Sequence, residues 1–277
     1  IDDKIIQRAN EKGLSAQELA SQFESEYYHD MEALHNTSVN QYARATDYIP
    51  QILVQIKSLL AKGFAYQAND GIYFNVAKFE DYGKLSGRME LQEEDAVSRI
   101  DESKDKVNWN DFCLWKARKP NEPFWESELG EGRPGWHIED TAITETVFGP
   151  QYDIHGAAID LIFPHHEAEI AQMEAASGLK PFVRHWLHAG FLNIDSKKMA
   201  KSTGNFKIIR EALKNYNYQI LRFFFLSAHY RATLDFSEEG LIQAKGALHR
   251  INEFLFNLDP DYEDLNEQET VANLRNE

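Results

Sequence analysis

"YDIHGAAIDLIFPHHEAEIAQMEAASG", residues 152–178, decides the fold. Its first part reads as a strand that ends in His155-Gly156 and turns towards Asp160. A helix follows, opened by Pro164 and closed by Gly178. "HWLHAGFLNID", residues 185–195, then reads as a second apolar strand. Strand, helix and strand in succession predict an α/β domain with a parallel sheet.

Working outward, "LSAQELASQFESEYYHDMEAL" is helical in pattern, with Ser15 as N-cap and Glu18 three residues on, a capping box. The next helix, "IPQILVQIKSLLAKG", has Pro50 near its first turn and Gly63 past its end. In "FAYQANDGIYFNV" the Asn69-Asp70-Gly71 step between two apolar runs predicts a hairpin. Residues 90–108 are highly charged and read as exposed, and residues 121–136 read as a long loop rich in glycine, proline and acid. Residues 206–258 read as nearly all helical.

The chain of 277 residues is 43% hydrophobic, enough for one large domain or two ordinary ones. No apolar run approaches the ~18 residues of a membrane span, so no membrane partner is expected. Its single cysteine, Cys113, excludes an intrachain disulfide and points to a reducing, cytoplasmic setting; between apolar neighbours it reads as a core residue. A net charge of −16 argues against a general nucleic-acid binder. A local basic patch remains: Lys197, Lys198, Lys201, Lys207, Arg210 and Lys214 fall within eighteen residues.

Four places could carry chemistry. In "DSKKMAKSTGN", 195–205, Lys198 and Lys201 could straddle a triphosphate while Gly204 admits close backbone approach; a solvated turn is the alternative. In "PHHEAE" His165 and Glu169 share a helix face and could ligate zinc, or form a surface pair; His166 points elsewhere. "GRPGWHIED" offers Trp136 as a pocket wall and Asp140 as an oxygen ligand, against a core tryptophan and a helix cap. "DIHGAAID" puts Asp160 at the carboxyl edge of a parallel sheet, where nucleotides bind.

Singly ambiguous, these stretches in their order are not. "GRPGWHIE", "DIHGAAIDLIFPHHEAEIAQ" and "GFLNIDSKKMAKSTGNF" closely resemble the class I aminoacyl-tRNA synthetases, specifically the cysteinyl family. "NDFCLWKARKPNEP" and "ILRFFFLSAHYRATLDFSEEGLIQAK" fit the same family. The resemblance implies a Rossmann-like parallel sheet, incomplete here because its N-terminal half is missing, with an α-rich connective insertion and a C-terminal helical segment. Residues 1–13 would end the first Rossmann half, 14–108 form the insertion and 109–195 the second half. Residues 196–235 would hold the lysine signature and 236–277 begin the anticodon-side helical domain.

The resemblance also implies activation of cysteine with ATP and Mg2+, and transfer to tRNA(Cys) by a monomeric enzyme. Lys198-Met199-Ala200-Lys201-Ser202 matches the family's mobile lysine signature, with alanine in place of its usual serine. Lys201, Asp160, Gly156 and His155 fall to the ATP side and Trp136 to the cysteine pocket. His165 and Glu169 match two zinc ligands, and Asp140 stands where a cysteine ligand is expected. A second cysteine and a His-x-Gly-His motif would lie upstream of Ile1, so this chain alone should not catalyse adenylation. A related cysteine:amino-sugar ligase and a catalytically silent binding module share these features.

Overall fold

The structure, a computed structural model, describes residues 3–88, 103, 105–194, 196–199 and 204–258. It divides into two compact units, Ile1–Gln22 with Gln41–Leu187 and Phe23–Asn40 with His188–Glu277.

The first unit opens with α1 (Asp3–Lys12) and the start of α2 (Ala16–Ala33). The capping box forms as expected: Ser15 N donates to Glu18 Oε2 at 2.8 Å and Glu18 N donates to Ser15 Oγ at 3.1 Å. Helix α3 (Ile49–Ala61) carries Pro50 in its first turn and buries Ile52, Ile56 and Leu59. Strands β1 (Ala65–Ala68) and β2 (Gly71–Phe74) form the predicted hairpin. Then β3 (Phe112–Ala117) and β4 (Gly132–Pro134) complete a four-stranded sheet in the order β1-β2-β3-β4, antiparallel throughout. Cys113 is buried in β3, the core position expected of it.

The glycine-proline stretch ends not in loop but as edge strand β4. A Cβ on Gly135 would stand 1.9 Å from the Cys113 carbonyl oxygen, and one on Gly132 would stand 2.2 Å from that of Lys116. Only glycine lets this segment lie so close to β3. That pairing delivers the chain into α4 (Trp136–Phe148) at a fixed point.

Strand β5 (Tyr152–Ala158) corrects one expectation. It runs through Gly156 without turning, and the turn begins at Ile159–Leu161, where Asp160 is exposed. Gly156 has ordinary extended backbone and open space where a Cβ would stand, so nothing there forces a turn. Phe163 before the proline is extended (φ −135°, ψ 132°), and from Pro164 helical backbone runs without a break into α5 (Glu167–Ser177), so the proline opens the helix as expected. Gly178 closes the helix in the left-handed conformation at φ 78°. Residues Glu167 to Ala175 of α5 are all buried, so this helix runs through the core of the unit. Strand β6 (Val183–Ala189) pairs with β5.

In the second unit the expected long strand breaks at Gly190. Its N–H donates to Tyr230 O at 2.7 Å, and a Cβ there would stand 2.4 Å from Ala232 O. Strand β7 (Leu192–Ile194) follows, then β8 (Lys197–Lys198). The rest is less purely helical than expected. Between α6 (Ile209–Ala212), α7 (Tyr218–Leu226) and α8 (Glu238–Leu258) lies β9 (Leu234–Asp235), which pairs with β7 in parallel. Ile194, Leu221, Phe224, Phe236 and Leu241 form this unit's core. The architecture is mixed α/β as expected, and β7 and β9 pair in parallel. Among the described residues no helix is long and apolar enough to cross a membrane. Most of the charged stretch 90–108 lies outside the described residues.

Gly135→Ala should cost about 3 kcal/mol through overpacking against β3, lowering the unfolding midpoint by roughly 6–12 °C. Gly156→Ala, with open space at the Cβ position, should leave it unlowered. Thermal melting followed by circular dichroism checks both.

Candidate active site

The site is built from α4, α5 and the turn between β5 and α5. Burial makes α5 unusual, since Glu167, Glu169, Gln172 and Glu174 are all buried on it. A buried polar group is costly unless it is partnered. Glu167 accepts from Gly83 N at 3.1 Å and Ser86 N at 2.5 Å, and Glu174 accepts from Phe182 N at 3.0 Å. Gln172 Nε2 donates to Thr141 Oγ1 at 2.6 Å and to the His137 carbonyl oxygen. Glu169 differs. It is fully buried, and neither carboxylate oxygen accepts an aligned hydrogen bond.

What faces Glu169 is His165, whose Nε2 lies 3.1 Å from Oε1 at ion-pair distance. The same nitrogen lies 3.0 Å from Asp140 Oδ2. Burial alone would depress the His165 imidazole, but the close approach of the Asp140 and Glu169 carboxylates to Nε2, together with their charge, pushes it up to about 9. Burial pushes Glu169 up to about 7, against the pull of His165. Ligand atoms of Asp140, His165 and Glu169 all lie within 4.8 Å of one another. One imidazole and two carboxylates fit a divalent cation with nitrogen and oxygen ligands, and zinc is within that set. The unsatisfied oxygens of Glu169 are what such a cation would satisfy.

Trp136 lines this group. Its ring stacks on His165 with centroids 4.2 Å apart and planes 15° apart. It is half-buried at the start of α4, neither an exposed wall nor a core residue. Asp140 is not a helix cap; it lies inside α4, one turn past Trp136.

His166 does not point away, as its place in the sequence suggests. It is buried, and its ring lies 4.8 Å from that of His155 and 4.7 Å from that of Trp186. His155 Nδ1 lies 2.5 Å from Tyr152 Oη and 3.9 Å from Glu169 Oε2, and its ring stacks on Trp186. The structure therefore gathers His155 and His166 around the far side of Glu169, and their ligand atoms also fall within 4.8 Å of one another.

Sequence reasoning missed the support behind this group. Thr141 Oγ1 donates to Gln55 Oε1 at 2.7 Å, and Gln55 Nε2 donates to Glu145 Oε2 at 2.7 Å. With Gln172 this ties α3, α4 and α5 together through buried side chains. Nothing local in the sequence marks it, because Gln55 and Thr141 are 86 residues apart.

The lysine segment belongs to the second unit. It begins as a paired strand, not a free loop: Asn193 faces Lys198 and Ile194 faces Lys197 in an antiparallel ladder. Lys198 is exposed, with Nζ 3.9 Å from the Phe191 ring centroid. Ser196, at φ 61°, donates its N–H to Asp235 Oδ1 at 3.1 Å, and Met199 packs against the core of the unit. Gly204 takes φ 70°, and Asn205 Nδ2 donates to Lys198 O at 3.1 Å. Arg210 is engaged by Glu26 and Asp30 at 2.9 and 3.2 Å. Lys201 lies outside the described residues.

Thr141→Val keeps the shape of the side chain but leaves Gln55 Oε1 without the Thr141 donor and takes from Gln172 Nε2 one of its two acceptors. It should cost about 1–3 kcal/mol, read as a lower urea midpoint at unchanged m-value.

Comparison with known proteins identifies the family. The family described as tRNA synthetases class I (C) catalytic domain matches residues 1–246. A cysteine–tRNA ligase of Thermoplasma acidophilum is 51% identical over 252 residues, covering 91% of this chain and 56% of the relative. Another, of Thermococcus onnurineus, is 50% identical over 258 residues, covering 93% of this chain and 54% of the relative. The chain thus spans about half the length of the curated relatives it matches. Among solved structures, Mycobacterium tuberculosis methionyl-tRNA synthetase bound by methionyl-adenylate aligns with a TM-score of 0.67 at 16% identity, covering 93% of this chain and 63% of that one. The shared fold is that of a class I synthetase, and the chain belongs to the class I (C) tRNA synthetase catalytic-domain family.

Proposed function

We propose that this chain belongs to a cytoplasmic cysteine–tRNA ligase. The protein activates L-cysteine with ATP, as its magnesium complex, to cysteinyl-adenylate and pyrophosphate. It then passes the cysteinyl group to the terminal adenosine of tRNA(Cys), acting as a monomer. The observation that carries this reading is the convergence of Asp140, His165 and Glu169 beneath Trp136. The names of the relatives, cysteine–tRNA ligases at about half identity over nine-tenths of the chain, support it.

In this reading Asp140, His165 and Glu169 hold a zinc ion, and Trp136 closes the pocket against it. Zinc there supplies a thiophilic centre, which takes a cysteine thiolate readily and a serine hydroxyl poorly. Asp140, in place of a thiolate donor, makes the donor set harder. His155, Gly156 and Asp160 at the end of β5 serve the ATP side, with Asp160 on the adenosine. Lys198 and Lys201 offset charge on the departing pyrophosphate. The domain boundaries follow the same reading: insertion 14–108, second Rossmann half 109–195, lysine signature and stem-contact region 196–235, and helical domain from 236.

Amino-acid-dependent exchange of labelled pyrophosphate into ATP by the full-length protein tests this. Cysteine should support exchange and serine should not. Lys198→Ala should lower kcat roughly 10²-fold with little change in the KM for cysteine. Exchange with serine at a comparable rate contradicts the cysteine reading, and no exchange with any amino acid leaves a binding module.

A further inference from the structure

His165 is gripped on three sides. Nε2 faces Asp140 and Glu169 at 3.0 and 3.1 Å, one ring face lies on Trp136, and Nδ1 lies 2.7 Å from Nδ1 of His137. That last contact is between two nitrogens that can each be donor or acceptor, and a hydrogen bond needs one of each. If Nε2 of His165 is to offer a lone pair to a metal, its ring proton must stand on Nδ1. His137 Nδ1 must then be the acceptor, with the His137 proton on its own Nε2.

His137 is held to do this. It is buried in the first turn of α4, edge-on to Phe112 with centroids 5.2 Å apart. Its carbonyl oxygen accepts from Gln172, which stands three residues past Glu169 on α5. The side chain that orients one ligand is thus tied through its backbone to the helix carrying another. The acceptor behind a metal-bound imidazole is commonly a carboxylate, a backbone carbonyl or water. With two carboxylates already in the donor set, a neutral imidazole orients the ring without adding a third negative charge.

We infer that His137 is a positioning residue for the metal site: by accepting the Nδ1 proton of His165 it fixes the tautomer that presents Nε2 to the ion. This rests on the metal reading above. Zinc affinity of the full chain, measured by competition with a chromophoric chelator, tests it. His137→Phe keeps a ring but removes the acceptor, and should weaken binding about 10–100-fold. His137→Asn, whose amide oxygen falls near the place of Nδ1, should stay within about threefold of the parent. Cobalt(II) absorption should change in the phenylalanine variant and not in the asparagine one.

If His165→Ala loses zinc while His137→Phe keeps parental affinity, the metal site stands and the positioning role is overturned. If the parent and His165→Ala take up zinc equally, the metal reading fails and takes the positioning role with it. A readout without substitution at His137 is ¹⁵N NMR of the zinc-loaded chain. It should show His165 Nδ1 protonated and His137 Nδ1 unprotonated, and a proton on His137 Nδ1 overturns the proposal.

Discussion

A carboxylate enclosed on every side with no aligned hydrogen-bond donor is the constraint on which the first unit turns. Burying a charged group costs several kcal/mol unless a counter-charge and hydrogen bonds offset it. Glu169 sits on a helix whose other buried carboxylates have taken backbone N–H groups as donors. At Glu169 the counterpart is His165, whose imidazole the Asp140 and Glu169 carboxylates push up against its burial.

The scaffold holds that arrangement by connections that bypass the chain order. Asp140 rides on α4, and the residue after it, Thr141, joins α3 and α5 through Gln55 and Gln172. The entry point of α4 is set by β4, which lies against β3 only because Gly132 and Gly135 lack a Cβ. Trp136, the first residue of that helix, is thereby delivered over His165. In the proposed reading Asp140 stands where the resemblance implies a thiolate, so the donor set is made harder at that point. A harder set favours oxygen- and nitrogen-loving divalent ions more than a thiolate-containing one does.

What the sequence made legible was local. The capping box at Ser15–Glu18, the hairpin at Asn69–Gly71, the left-handed cap at Gly178 and the spacing of His165 and Glu169 each depend on residues within a few positions of one another. All four are in the structure. The places where the reading slipped depend on distant chain. Gly156 looked like a turn because glycine often marks one, yet it lies inside β5, which has β6 as its neighbour and runs on to Ala158. Gly190 looked like strand interior, yet the backbone at 230–232 packs onto it and splits the strand. His166 and His155 gained their places from Trp186, on a strand twenty and thirty-one residues further on. His137 carried no signal, since its meaning comes from a ring 28 residues away.

The central claim is that Asp140, His165 and Glu169 hold a divalent ion, and anomalous diffraction from crystals grown with zinc tests it most directly. The account predicts a peak at the zinc edge between His165 Nε2 and the two carboxylates, with nitrogen and oxygen ligands at about 2.0–2.2 Å. A map with zinc only at surface pairs such as His249–Glu253, and none beside Glu169, would contradict it.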